Sequence, residues 1–349
     1  MARWWFRAVN TTAWSEDELF SRQDFNRIPE LCRLIAGLHV SHIAVSQPMY
    51  LASDWTLAGR QAPKPGWTEQ WVRSIRATGK NIFWRGSFVS FKGWYGVPKL
   101  TARTTPARPA TTPGGWRAVV NGQDTTSYVA LAYHYILGHP SWFQNGDIWG
   151  VFGECEYDGI GDGTADQFRD NAEFNQFLRD LTISCRQAFK KIGKRVLVGM
   201  NANDVLQSYG YNAGYLDPQT AKLVGIISLD RYEQQPEFLL PVISAFRDTY
   251  GLPIVSSEWG PMSNGKQPLT NDTINTMFHA LAQVPYYQGM GVWEAVDPYK
   301  NNSLFDPKSL TPLPQAKLVG EWFDKMKPTN SLPMVLLAAG VGTALAISH

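Results

Sequence analysis

The sequence predicts an α/β fold, a single-domain (β/α)8 TIM barrel with one long loop after strand three, on three observations. Strand-like and helix-like segments alternate eight times along the chain, the pattern of parallel strands joined by covering helices. No G-x-G-x-x-G follows the first strand and no G-x-x-x-x-G-K-S/T occurs, so an open nucleotide-binding sheet lacks its signature. Two short apolar runs each deliver a glutamate at their C-terminal end: Glu154 in DIWGVFGECEYDG and Glu258 in LPIVSSEWGPM. In a closed α/β barrel that end of each strand is the rim on which active sites are built.

The elements follow in order. Strand one covers residues 4–10, and the helix 24–38 starts at Asp24, a residue suited to an N-cap. Strand two covers 41–46, a helix 68–78 stops at Gly79, and strand three covers 81–88. The loop 93–122 contains TARTTPARPATTPGG, rich in Pro, Gly and Thr and expected to be irregular, and a helix follows over 125–137. Strand four covers 147–153 and is followed by an acidic, Gly-rich loop and the helix 171–191, which ends before Gly193. Strands five, six and seven cover 195–200, 224–229 and 253–257, with a helix 237–250 between the last two. Strand eight covers 289–293, and the helix 314–325 closes the ring, so that residues 1–328 form the barrel.

Composition narrows the function classes. The net charge is +2 without a basic stripe, which argues against nucleic acid as a partner. Aromatic residues reach 13%, with 14 Trp, and those beside Gly, Pro and Asn in loops (Trp55, Trp67, Trp94, Trp116, Trp142) are candidates to line a cleft. Cys32, Cys155 and Cys185 form no CxxC pair and no metal-ligand spacing with the histidines. Asp158, Asp162 and Asp166 miss the EF-hand spacing, so neither a metal nor another cofactor is expected.

Paired carboxyls at strand ends four and seven suit glycoside hydrolysis, where one gives a proton to the leaving oxygen and the other attacks the anomeric carbon. Glu156 competes with Glu154 for the first role, because alternation along an extended chain turns both to one face. Other strand ends add Asn201 and Asn203 after strand five, Asp230 and Tyr232 after strand six, and Trp293 and Glu294 after strand eight. His39 and His42, in HVSH, lie at the opposite end of strand two from the rim.

With SEWG at strand seven and GECE at strand four, residues 3–327 resemble clan A of the glycoside hydrolases, retaining (β/α)8 enzymes that include cellulases, β-mannanases and β-galactosidases. The resemblance implies Glu154 as acid/base and Glu258 as nucleophile, Tyr232 orienting the nucleophile, Trp293 beneath the sugar, an oligosaccharide or polysaccharide substrate and no cofactor. Gly153 stands where the clan has Asn, and Cys155 where Pro is common. Gln47 occupies the strand-two position of the clan's arginine, for which Arg85 on strand three is a substitute only if the strand count is off by one or the pocket is built differently. These departures leave a second reading open, a non-catalytic carbohydrate-binding or structural protein on the same barrel.

Two segments bear on localisation. The start, MARWWFRAVN, lacks the apolar core of a secretory signal. Residues 332–347 of the tail 329–349 carry no charge over 16 positions, short of the roughly 20 that span a bilayer. They are a candidate membrane anchor or a tail packed on the barrel.

Overall fold

The computed structural model describes residues 3–11, 26–48, 66–87, 99–101, 117–120, 123–153, 171–202, 216–260, 269–296 and 303–328. Eight strands form a closed barrel: β1 (Phe6–Asn10), β2 (His42–Pro48), β3 (Asn81–Ser87), β4 (Ile148–Gly153), β5 (Leu197–Ala202), β6 (Ile227–Arg231), β7 (Ile254–Trp259) and β8 (Tyr287–Val292). Each is hydrogen-bonded in parallel to its neighbours in chain order, and β8 closes on β1. The helices between them are α1 (Ile28–Ala36), α2 (Trp67–Ala77), α3 (Tyr128–Gly138), α4 (Asn171–Lys191), α5 (Pro218–Val224), α6 (Pro236–Tyr250), α7 (Asn271–Ala282) and α8 (Pro314–Lys325).

Strand alternation sorts the apolar residues into two cores. Phe6, Ala8, Ala44, Phe83, Ile148 and Val255 point inward and fill the barrel. Their sequence neighbours, such as Val9, Ile43, Trp84, Trp149 and Ile254, point outward against the helices. This two-sided burial is why the strands read as continuous apolar runs. Cys32 on α1 and Cys185 on α4 belong to the outer core as buried free thiols. Burial pushes the Cys185 thiol up to about 12.

At the N-terminal end of the barrel a polar cluster ties the strand starts together. Asp147, fully buried, receives a bidentate pair from Arg76 and the backbone N–H groups of Ile82 (2.9 Å) and Gln144 (3.0 Å). His42 opens β2, with Nδ1 2.8 Å from Ser41 Oγ and Nε2 3.0 Å from the Gly146 carbonyl. Burial, reinforced by Arg7 and Arg76, outweighs the hydrogen bond to the Gly146 carbonyl and the pull of Asp147 and lowers its pKa to about 4. In this fold class that face serves stability, so neither His42 nor His39 belongs to the rim.

The structure corrects the sequence reading at several elements. The segment after β3 is not irregular throughout: Lys99–Thr101, Arg117–Val120 and Gln123–Ser127 form a three-stranded antiparallel sheet. Val120 pairs with Gln123, a two-residue connection that the dipeptide Asn121-Gly122 favours. Thr125 and Thr126 therefore lie in a strand, as β-branched residues prefer, and α3 starts at Tyr128 rather than at residue 125. The first helix starts at Ile28 with Pro29 in its first turn, and Asp24 lies outside the described residues. Residue 224 ends a helix instead of opening a strand, because Asp217 caps α5 by accepting from Thr220 N and Pro218 follows it. That helix, and α7 with its Thr270 cap, were not located from the sequence.

Candidate active site

What places a carboxylate in the barrel mouth is a bulge. Along β7, Ile254 faces outward, Val255 inward, and Ser256 outward, where its hydroxyl accepts from Tyr287 (2.8 Å). Strict alternation would turn position 258 outward as well. The register instead runs from Ser256 opposite Leu229 to Glu258 opposite Asp230, so Ser257 is an extra residue. Ser257 and Glu258 both face the barrel axis, and Trp259 returns to the outer core. The ladder to β8 shifts at the same point, and Gly291 makes room: a Cβ there would lie 2.3 Å from the Ser257 carbonyl oxygen.

Both oxygens of Glu258 are held. Arg85 Nη1 pairs with Oε1, and the Tyr232 hydroxyl donates to Oε2. Arg85 comes from β3, where alternation after Phe83 turns it inward, and its other terminal nitrogen lies 3.3 Å from Asp230 Oδ2. Asp230 Oδ1 accepts from the Ser257 hydroxyl, which lies 2.7 Å from Ser228 Oγ. One guanidinium thus bridges two carboxylates, all three groups being at most 9% exposed. Trp293, half-buried, stands 5.9 Å from the Arg85 guanidinium carbon, measured to its ring centre. Its backbone is fixed beside Glu258's strand, the main-chain N–H donating to the Trp259 carbonyl (2.8 Å), and a side chain at Gly260 would strike the Trp293 carbonyl.

Of the residues expected from sequence, Glu258, Tyr232, Arg85, Asp230 and Trp293 are brought together at the C-terminal mouth. Arg85 reaches Glu258 from β3, so the pocket obtains its guanidinium without one on β2. Asp230, expected to face the sugar, has no exposed surface and sits behind Arg85. Asn201 lies on β5, its backbone in register with Gly153 of β4 and Ser228 of β6. Glu154, Glu156, Asn203 and Trp94 lie outside the described residues, although β4 ends at Gly153, immediately before Glu154. Among the other loop tryptophans, Trp67 is in the core against Trp71, and Trp142 stacks on His139 at the opposite end of the barrel; neither lines the mouth. Trp55 and Trp116 are outside the described residues, as is the tail 329–349. Sequence reasoning missed Ser257 and Gly291; the only signal was a serine pair before Glu258 and a Gly-x-Gly in β8.

No protein-family model and no curated protein matches the chain. Solved structures do. An endo-β-1,4-glucanase from Xanthomonas axonopodis pv. citri superposes with a TM-score of 0.55 at 12% identity, covering 86% of this chain and 90% of that one. A GH5_18 protein from Streptomyces cattleya, solved with GlcNAc, gives 0.63 at 13% identity over 95% of this chain and 83% of that one. An exo-β-1,4-mannosidase from Opitutaceae bacterium strain TAV5 gives 0.62 at 14% identity, covering 93% of this chain and 60% of that one. The chain shares the (β/α)8 fold of clan A, and the structures it superposes on include an endo-glucanase, an exo-mannosidase and a GH5_18 protein.

Proposed function

We propose that this chain is a β-glycosidase acting by retaining double displacement, with Glu258 as nucleophile and Glu154 as acid/base. The observation that carries the reading is the setting of Glu258: an almost buried carboxylate at the mouth of the barrel, held on both oxygens by Arg85 and Tyr232. A cation and a phenol donating to it favour the ionised form needed for attack. Each carboxylate oxygen has a second lone pair, so one remains free for the anomeric carbon. Attack forms a bond from a Glu258 oxygen to that carbon while the glycosidic bond breaks, and the Glu154 proton passes to the departing oxygen. Glu154 then takes a proton from the water that releases the sugar. Trp293 offers an aromatic face at the same level, suited to stacking on a pyranose ring.

The neighbours include an endo-glucanase and an exo-mannosidase, so β-1,4-linked glucosides and mannosides are the first substrates to try. The test is release of nitrophenol from aryl β-glycosides and of reducing ends from β-glucan, β-mannan and xylan, with wild type beside Glu258→Ala. We expect release by the wild type, its loss in the variant and partial rescue by azide, which enters the space of the missing carboxylate. Undiminished activity in Glu258→Ala would remove this residue from its role.

A further inference from the structure

We infer that Asp230 is a positioning residue for Glu258, holding it from two sides: through Arg85 on its carboxylate and through Ser257 on its backbone. The inference rests on the reading of Glu258 as nucleophile and deepens it. Asp230 is fully buried, so it cannot touch a sugar, yet it stands directly opposite Glu258 in the β6–β7 register. Its Oδ2 takes one end of the Arg85 guanidinium, whose other end holds Glu258 Oε1. Its Oδ1 takes the hydroxyl of Ser257, the bulge residue that turns Glu258 into the mouth.

The charge matters as well as the geometry. One cation shared between two carboxylates compensates each only in part. If Arg85 faced Glu258 alone, the anion would be held more tightly and would attack less readily. The charged and titratable groups that contact Glu258 among the described residues are Arg85 from β3 and Tyr232 after β6, with Asp230 behind Arg85. Glu294, buried after β8, is a further carboxylate at that end of the barrel.

The test replaces Asp230 with Asn, which keeps the shape and removes the charge. Protein labelled with 13C at the glutamate side-chain carboxyls is titrated by NMR, the Glu258 signal being assigned by its loss in Glu258→Gln. In Asp230→Asn the Glu258 carboxyl is expected to titrate about one pH unit lower, since the remaining opposite charge favours ionisation more strongly. The acidic limb of the kcat/KM–pH profile moves with it, and kcat falls about tenfold with KM nearly unchanged, the signature of an interaction expressed in the transition state. Asp230→Glu, which restores the charge, returns the titration toward wild type.

Identical titration of Glu258 in wild type and Asp230→Asn overturns the inference. If the shift appears but the wild type turns over no glycoside, the coupling stands and the glycosidase reading fails. Should Asp230→Asn not fold, the wild type labelled at both Asp and Glu gives the answer. Coupled carboxyls each show both inflections, whereas two independent single-step curves refute the link.

Discussion

Replacing Gly291 by alanine tests whether the β7 bulge is what aims Glu258. The added Cβ would lie 2.3 Å from Ser257 O and 3.0 Å from Ser257 C. Close carbon–oxygen contacts between strands sit at about 3.3 Å, so β7 and β8 must part by about 1 Å. The atoms that must yield are main-chain atoms of a hydrogen-bonded ladder, not the end of a flexible side chain. That places the cost near the upper end of the usual overpacking range, about 3 kcal/mol. For a domain of this size we expect a fall in Tm of roughly 4 °C. Relief comes most readily at the unpaired bulge residue, which carries Glu258 with it, and a displacement of about 1 Å costs about a hundredfold in rate. Thermal melts and kcat/KM on the best glycoside check both numbers. An alanine variant that melts with the wild type and keeps its rate would refute the argument, as would its crystal structure if bulge and carboxylate had not moved.

Three further predictions concern Gly320, His42 and Glu258. Gly320 lies inside α8, and a Cβ added there would stand 3.5 Å from Leu38, an ordinary contact distance. Gly320→Ala should therefore stabilise by about 0.5–1 kcal/mol through helix propensity, seen as a higher denaturation midpoint. Burial lowers the His42 pKa to about 4 in the folded state, while the unfolded chain binds a proton near 6.5. Its contribution is therefore complete above pH 6.5 and falls by about 3 kcal/mol as the pH drops to 4. Urea midpoints measured from pH 7 to 4 should decline more steeply for the wild type than for His42→Asn. Glu258→Gln should raise the Tm, because two buried carboxylates share one guanidinium and removing one charge leaves the Arg85–Asp230 pair balanced; a lower Tm would show that the wild-type cluster is already compensated.

The barrel was legible because its main signal is local. Apolar runs such as those of β4 and β7 separated by amphipathic helices require only the immediate sequence, and α4 and α8 appear at the bounds their periodicity predicts. Short elements were less readable. The seven-residue α5 is marked by its Asp217-Pro218 start, yet it offers fewer than two turns of periodicity. In the three-stranded sheet after β3, the hairpin from Arg117 to Ser127 has a local signal in its Asn-Gly dipeptide, whereas the pairing of Lys99–Thr101 with Arg117–Val120 joins segments that a long stretch of sequence separates.

Within the site, Glu258, Tyr232 and Trp293 could be named because strand ends in a barrel point to one mouth. Arg85 and Asp230 could be named as well, but not that they pair with each other and with Glu258. Arg85 and Asp230 are 145 residues apart in sequence, and nothing local to FWRGS or SLDRY announces that they meet. The inward turn of both Ser257 and Glu258 breaks the two-residue period on which strand reading relies. It is permitted by a glycine on the neighbouring strand, and so is a property of two strands together.

Why the guanidinium can come from β3 follows from barrel dimensions. In an eight-stranded ring β3 and β7 lie on opposite walls, and the interior is just wide enough for side chains to fill. A long side chain starting on β3 therefore spans the barrel and meets β6 and β7 on the far side, as Arg85 does. It forms the top layer of the packed interior and, at once, the floor of the mouth. What the pocket requires is a cation at Glu258; the strand that supplies it is constrained only by reach. Because the same groups close the core and present the carboxylate, substitutions at Arg85 or Asp230 should change stability and catalysis together, whereas a residue that only touches substrate, as we read Trp293, should change catalysis with little effect on folding.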